Sequence, residues 1–269
     1  ASHCLEIAAD GSLWAWGNRV GGTDDRGFPI QIGQDKDWVK VAANGWGHSL
    51  AIKADGSLWA WGLNDSGQLG DGTTTNATAP KRIGVDSDWA SIGAGLNHSI
   101  AIKQNGTLWS WGANESGQVG DGSTVAKLSP VQIGTATNWA QVEGGAHTLA
   151  RKTDGTVWAW GSNNSGQLGD GTTANKSAPQ QVGVGTTWTG ISTQWSTSVA
   201  RRADGTLWSW GRNSHGQIGD GTTTNRVTPT QFGSATDWSE AFSAGIGNIA
   251  AIKANGTLWI WGDNSSQQI

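Results

Sequence analysis

The chain has 269 residues, with 42 Gly, 19 Trp, 3 Phe and no Tyr or Met. Its formal net charge of -4, from 17 Lys and Arg against 21 Asp and Glu, argues against a protein that binds nucleic acid by neutralising phosphates. No apolar run is long enough to cross a bilayer, and the single cysteine, Cys4, excludes an internal disulfide or a cysteine-based metal cluster.

A Trp-x-Trp-Gly motif recurs six times along the chain, at intervals of 45, 50, 49, 50 and 51 residues. The motifs begin at Trp14, Trp59, Trp109, Trp158, Trp208 and Trp259. A second Trp series lies between them, at Trp38, Trp89, Trp139, Trp188 and Trp238. Self-similarity at a period of roughly 20–50 residues is typical of repeat architectures, so the repeat determines the fold prediction.

One unit, followed in chain order, predicts four short strands. Asp55-Gly56 is typical of a hairpin turn, and residues 57–61 alternate as a strand does. Residues 64–73 are too rich in Gly and Asn for regular structure. The other three strands begin at Pro80, Trp89 and His98. Four short strands per unit, with Gly and aromatic residues at fixed places, is the pattern of a β-propeller blade.

The sequence therefore predicts an all-β fold, a single β-propeller domain over residues 1–269 in which the repeated Trp residues pack blade against blade. Six hairpin units are visible and about 22 strands, which suits six or seven four-stranded blades. The units span approximately 1–33, 34–84, 85–134, 135–183, 184–233 and 234–269. The chain opens and ends within a repeat, so a fragment of a longer propeller is the simplest interpretation. Six imperfectly closed blades are the alternative.

The segments 59–73 and 158–172 share the pattern Trp-x-Trp-Gly-x-Asn-x-x-Gly-Gln-Leu-Gly-Asp-Gly-Thr. This pattern, with a Gly-x-x-His-Ser element ahead of Ala-Ile-Lys, resembles the bacterial-type repeats of the regulator of chromosome condensation family. The resemblance covers essentially the whole chain. It implies a propeller, commonly seven-bladed, that is used mainly to bind other proteins. Some relatives act as guanine-nucleotide exchange factors on a small GTPase, and others inhibit β-lactamases through aromatic-rich loops.

Two repeated polar positions suggest metal sites at first, but both favour structural roles. Zinc needs ligands at about 2.0–2.1 Å, while packed sheets lie about 10 Å apart, so equivalent side chains of different blades do not converge on one ion. One position holds His3, His48, His98 and His147, with Thr197 and Asn248 in the later units. The other is the Asp-Gly pair at 71, 121, 170 and 220, which is typical of a turn capped by its own side chain. We expect no metal and no cofactor.

The sequence offers little for catalysis. His3 and Cys4 are neighbours along a predicted strand, and such neighbours point to opposite faces, so they do not form a nucleophile–base pair. The glutamates are scattered among different units, and no phosphate-binding Gly loop leads into a helix. We therefore predict that the protein is not an enzyme.

Positions that differ between units are the best candidates for a binding site. The loop before the His-type strand is the most irregular, and equivalent loops emerge on one side of a propeller. Trp46 and Trp195 lie in this loop and are the two Trp that the repeat does not require, although each could instead fill a gap over a neighbouring blade. Arg212 and His215 mark a second variable place, with a solvated surface pair as the alternative. The predicted partner-binding residues are Trp46, Leu96, Asn97, Trp195, Arg212, His215 and Ile246.

The function that these features favour is a non-catalytic protein-binding scaffold that uses the variable loops of one propeller face. A structural or adhesive surface or filament component is the first alternative; an exchange factor and a β-lactamase inhibitor are further ones. Light sensing is another, because residues 45–49 are similar to the Gly-Trp-Arg-His-Thr motif of the plant ultraviolet-B photoreceptor, although Gly47 replaces the Arg. We expect the partner to be another protein or copies of this chain, with no nucleic acid and no membrane insertion. The Ser-, Thr- and Asn-rich, Lys-poor repeats favour a bacterial secreted or cell-surface protein.

Overall fold

The computed structural model describes residues 3–20, 24–44, 47–183, 185, 187–243 and 247–265. Over these residues the chain forms 22 strands in six antiparallel sheets, with no helix. Four sheets have four strands, whereas the first and the last have three. The predicted all-β propeller is confirmed, and of the six or seven blades predicted the structure has six over the described residues. None of the described residues belongs to a helix that could span a membrane.

The strands follow one another in chain order, and we number the sheets in the same order. Sheet 1 contains β1 (His3–Ile7), β2 (Leu13–Val20) and β3 (Asp24–Gln31). Sheet 2 contains β4 (Trp38–Asn44), β5 (His48–Lys53), β6 (Leu58–Gly62) and β7 (Ala77–Arg82). Sheet 3 contains β8 (Trp89–Ala94), β9 (His98–Lys103), β10 (Leu108–Gly112) and β11 (Lys127–Gln132).

The second half of the chain repeats this arrangement. Sheet 4 contains β12 (Trp139–Gly144), β13 (His147–Lys152), β14 (Val157–Gly161) and β15 (Lys176–Val182). Sheet 5 contains β16 (Trp188–Gln194), β17 (Thr197–Arg202), β18 (Leu207–Gly211) and β19 (Arg226–Gln231). Sheet 6 contains β20 (Trp238–Ser243), β21 (Asn248–Lys253) and β22 (Leu258–Gly262).

The strands that begin with the second Trp series lie nearest the propeller axis. Strands β4, β8, β12, β16 and β20 contact one another in succession, and each forms one edge of its sheet. Because neighbouring strands are antiparallel, the first-to-second and third-to-fourth connections of every four-stranded sheet emerge at the same end. We call this end the loop face. The short hairpin turns lie at the opposite end.

Tryptophan side chains join each sheet to the next, as the repeat predicts. Leu58 and Ala60 of sheet 2 pack against Trp89 and Trp111 of sheet 3. The Trp111 side chain is fully buried, and its Nε1 donates to the main-chain oxygen of Gln68 at 2.9 Å. The same indole-to-carbonyl bond joins Trp160 to Gln118, Trp210 to Gln167 and Trp261 to Gln217. Each indole therefore supplies buried apolar area and satisfies its one polar atom across the interface.

In most units a cation lies over two Trp rings, one from the second Trp series and one from the first position of the Trp-x-Trp motif. Lys53 Nζ lies 4.7 Å from the Trp38 ring centroid and 4.8 Å from the Trp59 centroid. It also pairs with Asp35 and Asp37, at 2.7 and 3.1 Å. The equivalent cations are Lys103, Lys152, Arg202 and Lys253. The cation holds the second Trp series against the Trp-x-Trp motif through cation–π attraction.

The hairpin turn of each unit requires glycine. Gly56 has φ +77, and a Cβ there would lie 2.1 Å from the main-chain oxygen of Ser87. A side chain at this place would therefore be strained and would also collide with the connection to the next sheet. The Asp-Gly turn signal in the sequence thus reflects close packing of two turns.

The outward surface of sheet 6 is apolar and exposed. Leu258, Trp259 and Ile260 are 58%, 47% and 40% exposed, whereas Leu58 and Ala60 at equivalent places in sheet 2 are fully buried. No sheet among the described residues covers this surface. Its apolar residues correspond to those that pack against the next sheet elsewhere in the propeller.

Candidate partner-binding site

The repeated histidines form hydrogen-bonded links between neighbouring sheets. His48 Nε2 lies 3.1 Å from Ser99 Oγ of the next sheet, and the Ser99 hydroxyl donates to the Gln68 main-chain oxygen at 2.7 Å. Because the hydroxyl proton is committed to Gln68, Ser99 Oγ accepts from His48 Nε2. The same relay joins His98, Thr148 and Gln118, and likewise His147, Ser198 and Gln167. The predicted hydrogen-bonding role of these histidines is confirmed.

These imidazole rings are neutral at physiological pH. Burial is the main cause that lowers the pKa of His48 and His98 to about 3, and the charge of a neighbouring histidine is a lesser one. Burial likewise lowers the pKa of His147 to about 4. A neutral ring with its proton on Nε2 suits the relay, which needs one donor and no charge.

The relay is interrupted between sheets 5 and 6. Thr197 occupies the histidine position of sheet 5, and Ile249 occupies the hydroxyl position of sheet 6. The Thr197 hydroxyl donates instead to the Arg212 main-chain oxygen within its own sheet, at 3.1 Å. A threonine fills less space than an imidazole ring, and a cavity of about 70 Å³ opens here on the loop face.

Three of the predicted binding residues meet at this cavity, which lies between the loops of sheets 5 and 6. Trp195 comes from the loop between β16 and β17, while Arg212 and His215 come from the loop that follows β18. The cavity is also lined by Gln194, Asn248 and Asp263, which the sequence interpretation missed. The signal that could have found it is Thr197, which breaks the histidine series in the sequence.

The rim of the cavity carries charges of both signs. Arg212 is exposed, and its Nε donates to Ser214 Oγ at 2.9 Å; that hydroxyl also contacts His215 Nδ1 at 3.0 Å. Asp263 lines the same cavity. Hydrogen bonds from Ser265 hold the pKa of the Asp263 carboxyl below its usual range, and nearby His215 and Arg212 lower it further. The rim can therefore meet a partner surface that is itself of mixed charge.

The Trp195 loop has an unusual backbone. Trp195 has φ 51, the one positive value found among the described residues other than glycine. Bulky residues rarely adopt this left-handed conformation. The Trp195 main-chain oxygen accepts a bond from the Ala146 N–H at 2.7 Å, which ties the loop to the equivalent loop of sheet 4. Such strain persists where neighbouring contacts fix it and is concentrated at functional sites.

The other predicted residues lie elsewhere. Leu96 and Asn97 line a separate cavity of about 380 Å³ between sheets 3 and 4, also on the loop face. The Leu96 N–H donates to the Gly145 main-chain oxygen at 3.0 Å, so this loop also contacts its neighbour. Trp46 and Ile246 lie outside the described residues. The structure therefore places five of the seven predicted residues on one face but in two cavities.

The Asp-Gly loops are closed by their own side chains. The Asp71 carboxylate accepts from the Thr73 N–H at 3.0 Å and from the Thr73 hydroxyl at 2.8 Å, and it pairs with Lys81 at 2.6 Å. Buried Asn64 donates to Thr75 O, and its Oδ1 accepts from the Leu69 N–H. These contacts use the carboxylate for capping, as the sequence predicts.

The axial channel contains one unusual carboxyl group. Glu143 of β12 lines a cavity of about 320 Å³ between the first strands of sheets 2 to 5. Burial raises the pKa of Glu143 to about 7, and a bond from Gln141 Nε2 at 3.3 Å partly opposes this. Over the described part of the chain, no group of three His, Cys, Asp or Glu side chains could hold a metal ion.

The whole chain, residues 1–269, matches a family model described as RCC1-like domain. Among solved structures, yeast RCC1 (Prp20) bound to Kap60 superposes with a TM-score of 0.85 at 21% identity, covering 98% of this chain and 68% of that chain. Human WBSCR16 gives a TM-score of 0.78 at 24% identity, with 91% and 67% covered.

A second structure of Prp20p, from Saccharomyces cerevisiae, was described with its binding properties to Gsp1p and histones. It gives a TM-score of 0.78 at 20% identity, with 97% of this chain and 66% of that chain covered. No curated protein matches the sequence at a significant level. At these identities the likeness shows the fold alone. The chain spans about two thirds of the length of these solved proteins.

Proposed function

We propose that this chain, which belongs to the RCC1-like domain family, is a non-catalytic protein-binding module that engages its partner through the loop face. RCC1-like propellers are a protein-binding type of scaffold. The observation that carries the proposal is the cavity between sheets 5 and 6, where Trp195, Arg212 and His215 meet. Trp and Arg are the side chains most enriched among the residues that dominate binding energy at protein interfaces.

The architecture of the loop face supports this proposal. Variable loops stand on six sheets whose interfaces are fixed by buried indoles and hydrogen bonds. A rigid frame that carries variable loops presents several contacts at once without a large ordering cost on binding. The similar structures also support a protein partner, because yeast RCC1 (Prp20) was solved bound to Kap60, and Prp20p was described with Gsp1p and histones.

A matched pair of charge reversals tests the proposal. Arg212→Glu changes an exposed arginine on the loop face, whereas Arg82→Glu changes an exposed arginine at the opposite end, where Arg82 Nη2 donates to Val85 O. Both change the net charge equally. The immobilised chain and its variants are exposed to extract from the source cells, and the captured proteins are quantified by mass spectrometry.

We expect a defined set of captured proteins to be lost from Arg212→Glu and from Trp195→Ala but retained by Arg82→Glu. Equal retention or equal loss by all three variants would contradict a site on the loop face. Acceleration of nucleotide release from a captured small GTPase would replace the non-catalytic module by an exchange factor.

The exposed apolar surface of sheet 6 favours a second candidate, a structural component that assembles from copies of itself. Leu258, Trp259 and Ile260 form this surface, and exposed apolar patches commonly mark association sites. Light scattering over a concentration series separates the two functions. Growth into large species without any extract, which Trp259→Lys abolishes, would favour assembly, whereas a monomer at all concentrations would favour the binding module.

A further inference from the structure

One position of the strands that line the axial channel carries a carboxyl group in a single unit. It is the fourth residue after each Trp of the second series, and it holds Ala42, Gly93, Glu143, Ser192 and Phe242. The first four of these residues line the channel together. Because the other units do without a carboxyl group here, the propeller frame does not require Glu143, and its role must be sought in the channel.

The Glu143 carboxyl lies in the channel without a countercharge. Among the described residues its side chain forms one hydrogen bond, from Gln141 Nε2 to Oε1 at 3.3 Å, which leaves Oε2 to the channel. Burial raises the pKa of Glu143 to about 7, and no charged neighbour contributes to this change. Carboxylates in such surroundings are normally paired with a cation or neutralised. The channel therefore holds an acceptor that would be stabilised by a cationic ligand.

The titratable groups around Glu143 do not supply this cation. Strands β8, β9, β13 and β16 pack against β12. Their charged or titratable side chains are His98, Lys103, His147, Arg151 and Lys152. The histidines are buried and neutral, the lysines lie over indole rings, and Arg151 Nε donates to Gln141 Oε1 at 3.5 Å. Arg201 and Glu240, which line a second cavity beside Glu143, have opposite charges. In the part of the chain that the structure describes, none of these groups forms an ion pair with Glu143.

Gln194 supplies a second acceptor at the same end of the channel. It stands three residues before Thr197, whereas unit 3 has Gly95 three residues before His98. A Cβ at Gly95 would lie 2.1 Å from His98 Cε1, so a longer side chain has room only where a smaller residue replaces the ring, as Thr197 does. Gln194 lines the channel with Glu143. Its Oε1 is buried with no donor among the described residues, and such an acceptor is costly unless a ligand donates to it.

The rest of the channel wall suits a thin apolar stem with a charged tip. Val41, Ala43 and Ile92 line the channel, whose volume is about 320 Å³. Glu143 stands one residue before the end of β12, and Gln194 ends β16, so both acceptors lie near the loop face. A long basic side chain that enters from this face places its methylene groups on apolar surface and its charge at the two acceptors.

A primary ammonium group matches these acceptors better than a guanidinium does. A guanidinium is a planar fork that pairs best with both oxygens of one carboxylate, and Glu143 Oε1 already accepts from Gln141. An ammonium is a compact charge with three donors that rotate freely. It can therefore donate to Glu143 Oε2 and to Gln194 Oε1, which come from neighbouring strands.

We infer that the loop-face end of the axial channel binds the ammonium group of a partner's lysine, with Glu143 and Gln194 as its acceptors. Gln194 also lines the cavity where Trp195 and Arg212 meet, so a single partner can contact both places. The inference rests on the proposed function and names a side chain that the loop face captures.

Butylammonium, which has the length of a lysine side chain, is the probe for the channel. The chain has four glutamates, so carbon-13 labelling of glutamate gives four side-chain carboxyl signals, and Glu143→Gln identifies the signal of Glu143. At pH 8 we expect saturable shifts of this signal, with a dissociation constant of about 1–10 mM. At about ten times that concentration, the amine should move the midpoint of the Glu143 titration to lower pH by about one pH unit. Tetramethylammonium, a cation without an N–H donor, should bind at least tenfold more weakly.

Three variants are compared through the amide signals of Gly93 and Gly144. Glu143→Gln keeps the size of the side chain and removes its charge, and it should weaken butylammonium binding at least tenfold. Gln194→Leu removes the second acceptor and should weaken binding at least threefold. Glu115→Gln removes an equal charge from an exposed place on the loop face, outside the channel, and should leave binding unchanged. The absence of saturable shifts, equal binding of tetramethylammonium, or undiminished binding in folded Glu143→Gln would overturn the inference.

Capped tripeptides distinguish a partner's lysine from a free amine. Acetyl-Gly-Lys-Gly-amide should bind at least as tightly as butylammonium, the equivalent arginine peptide should bind more weakly, and the norleucine peptide should not bind. Binding of butylammonium without binding of the lysine peptide, or tighter binding of the arginine peptide, would overturn the inference. If the lysine peptide binds but no captured protein depends on Arg212, the proposed function fails while the channel site stands. If capture depends on Arg212 but the lysine peptide does not bind, the channel inference fails alone.

Discussion

The interface between sheets 3 and 4 and the interface between sheets 5 and 6 share one frame but differ in one link. In both, an indole N–H donates to a main-chain oxygen, from Trp160 to Gln118 and from Trp261 to Gln217. The first interface adds the relay from His98 through Thr148. In the second, Thr197 and Ile249 replace that pair. The comparison teaches that the indole bond is kept at both interfaces, whereas the relay residues can be replaced by others that leave a cavity.

Removal of the shared indole should have the largest effect. Trp160→Ala deletes a fully buried side chain and its bond to Gln118, so we expect a loss of about 3–5 kcal/mol in the free energy of unfolding. Trp261 is only half-buried, and its ring stacks on Phe232 at 4.3 Å. Trp261→Ala should therefore cost less. Chemical denaturation measures both, and equal losses would show that the two interfaces carry equal weight.

Acidification should have the next largest effect on the free energy of unfolding, because the interface between sheets 3 and 4 contains a buried histidine. The unfolded His98 titrates near 6.5 and the folded one near 3, so between these values the unfolded chain binds the extra proton. The free energy of unfolding therefore falls as pH drops below 6.5, by about 2–3 kcal/mol at pH 4.5 for this residue. The cost of His98→Thr, measured against the parent protein, should shrink accordingly as pH falls.

Glu143 titrates in the same pH range, and its effect on the free energy of unfolding has the opposite sign, so it must be removed from this measurement. Its folded pKa of about 7 lies above the ordinary 4.5, so stability from this group is lost as pH rises between the two values. The comparison is best made in a Glu143→Gln background. A cost of His98→Thr that is unchanged from pH 7 to pH 4.5 would contradict a neutral, buried ring.

A double-mutant cycle at sheet 3 tests why the histidine and the glycine occur together. Gly95→Gln alone places a Cβ against the His98 ring and should be strongly destabilising. His98→Thr should relieve that collision, so the two costs should be non-additive by about 1–3 kcal/mol. Urea denaturation of the four proteins gives the coupling. Additive costs would mean that the pairing of Gln194 with Thr197 in unit 5 has no steric basis.

The smallest effect concerns the bond that remains at Thr197. Thr197→Val keeps the shape of the side chain but removes the hydroxyl that donates to Arg212 O. We expect a loss of about 1 kcal/mol, typical of one hydrogen bond. Thr107→Val removes the hydroxyl that accepts from Trp109 Nε1 at a hairpin turn. It serves as a comparison, since it also removes one hydrogen bond but in a unit that keeps its histidine.

The sequence was sufficient for the fold because every element of a unit recurs at a fixed spacing. The Trp-x-Trp motifs that begin at Trp14, Trp59 and their equivalents predict the strands, and the Asp-Gly pairs predict the turns. Trp195, Arg212 and His215 stand out in the sequence because they depart from the repeat, and the structure brings them to one cavity. The cavity itself could not be predicted because it arises across an interface: only the packing shows that Thr197 lies beside Asn248 and Ile249 and leaves space there.

The interrupted relay also bears on how the propeller unfolds. In a stack of sheets that contact mainly their neighbours, cooperativity is set by the weakest interface. Between sheets 5 and 6 the relay is missing, and the Trp261 indole bond, the bond from the Trp238 N–H to the Gly205 main-chain oxygen and apolar packing remain. The three strands of sheet 6 should therefore open as a unit of their own before the rest of the stack. Their amide protons, such as those of Ala250 and Ala251, would exchange with solvent sooner than those of Ala150 in sheet 4.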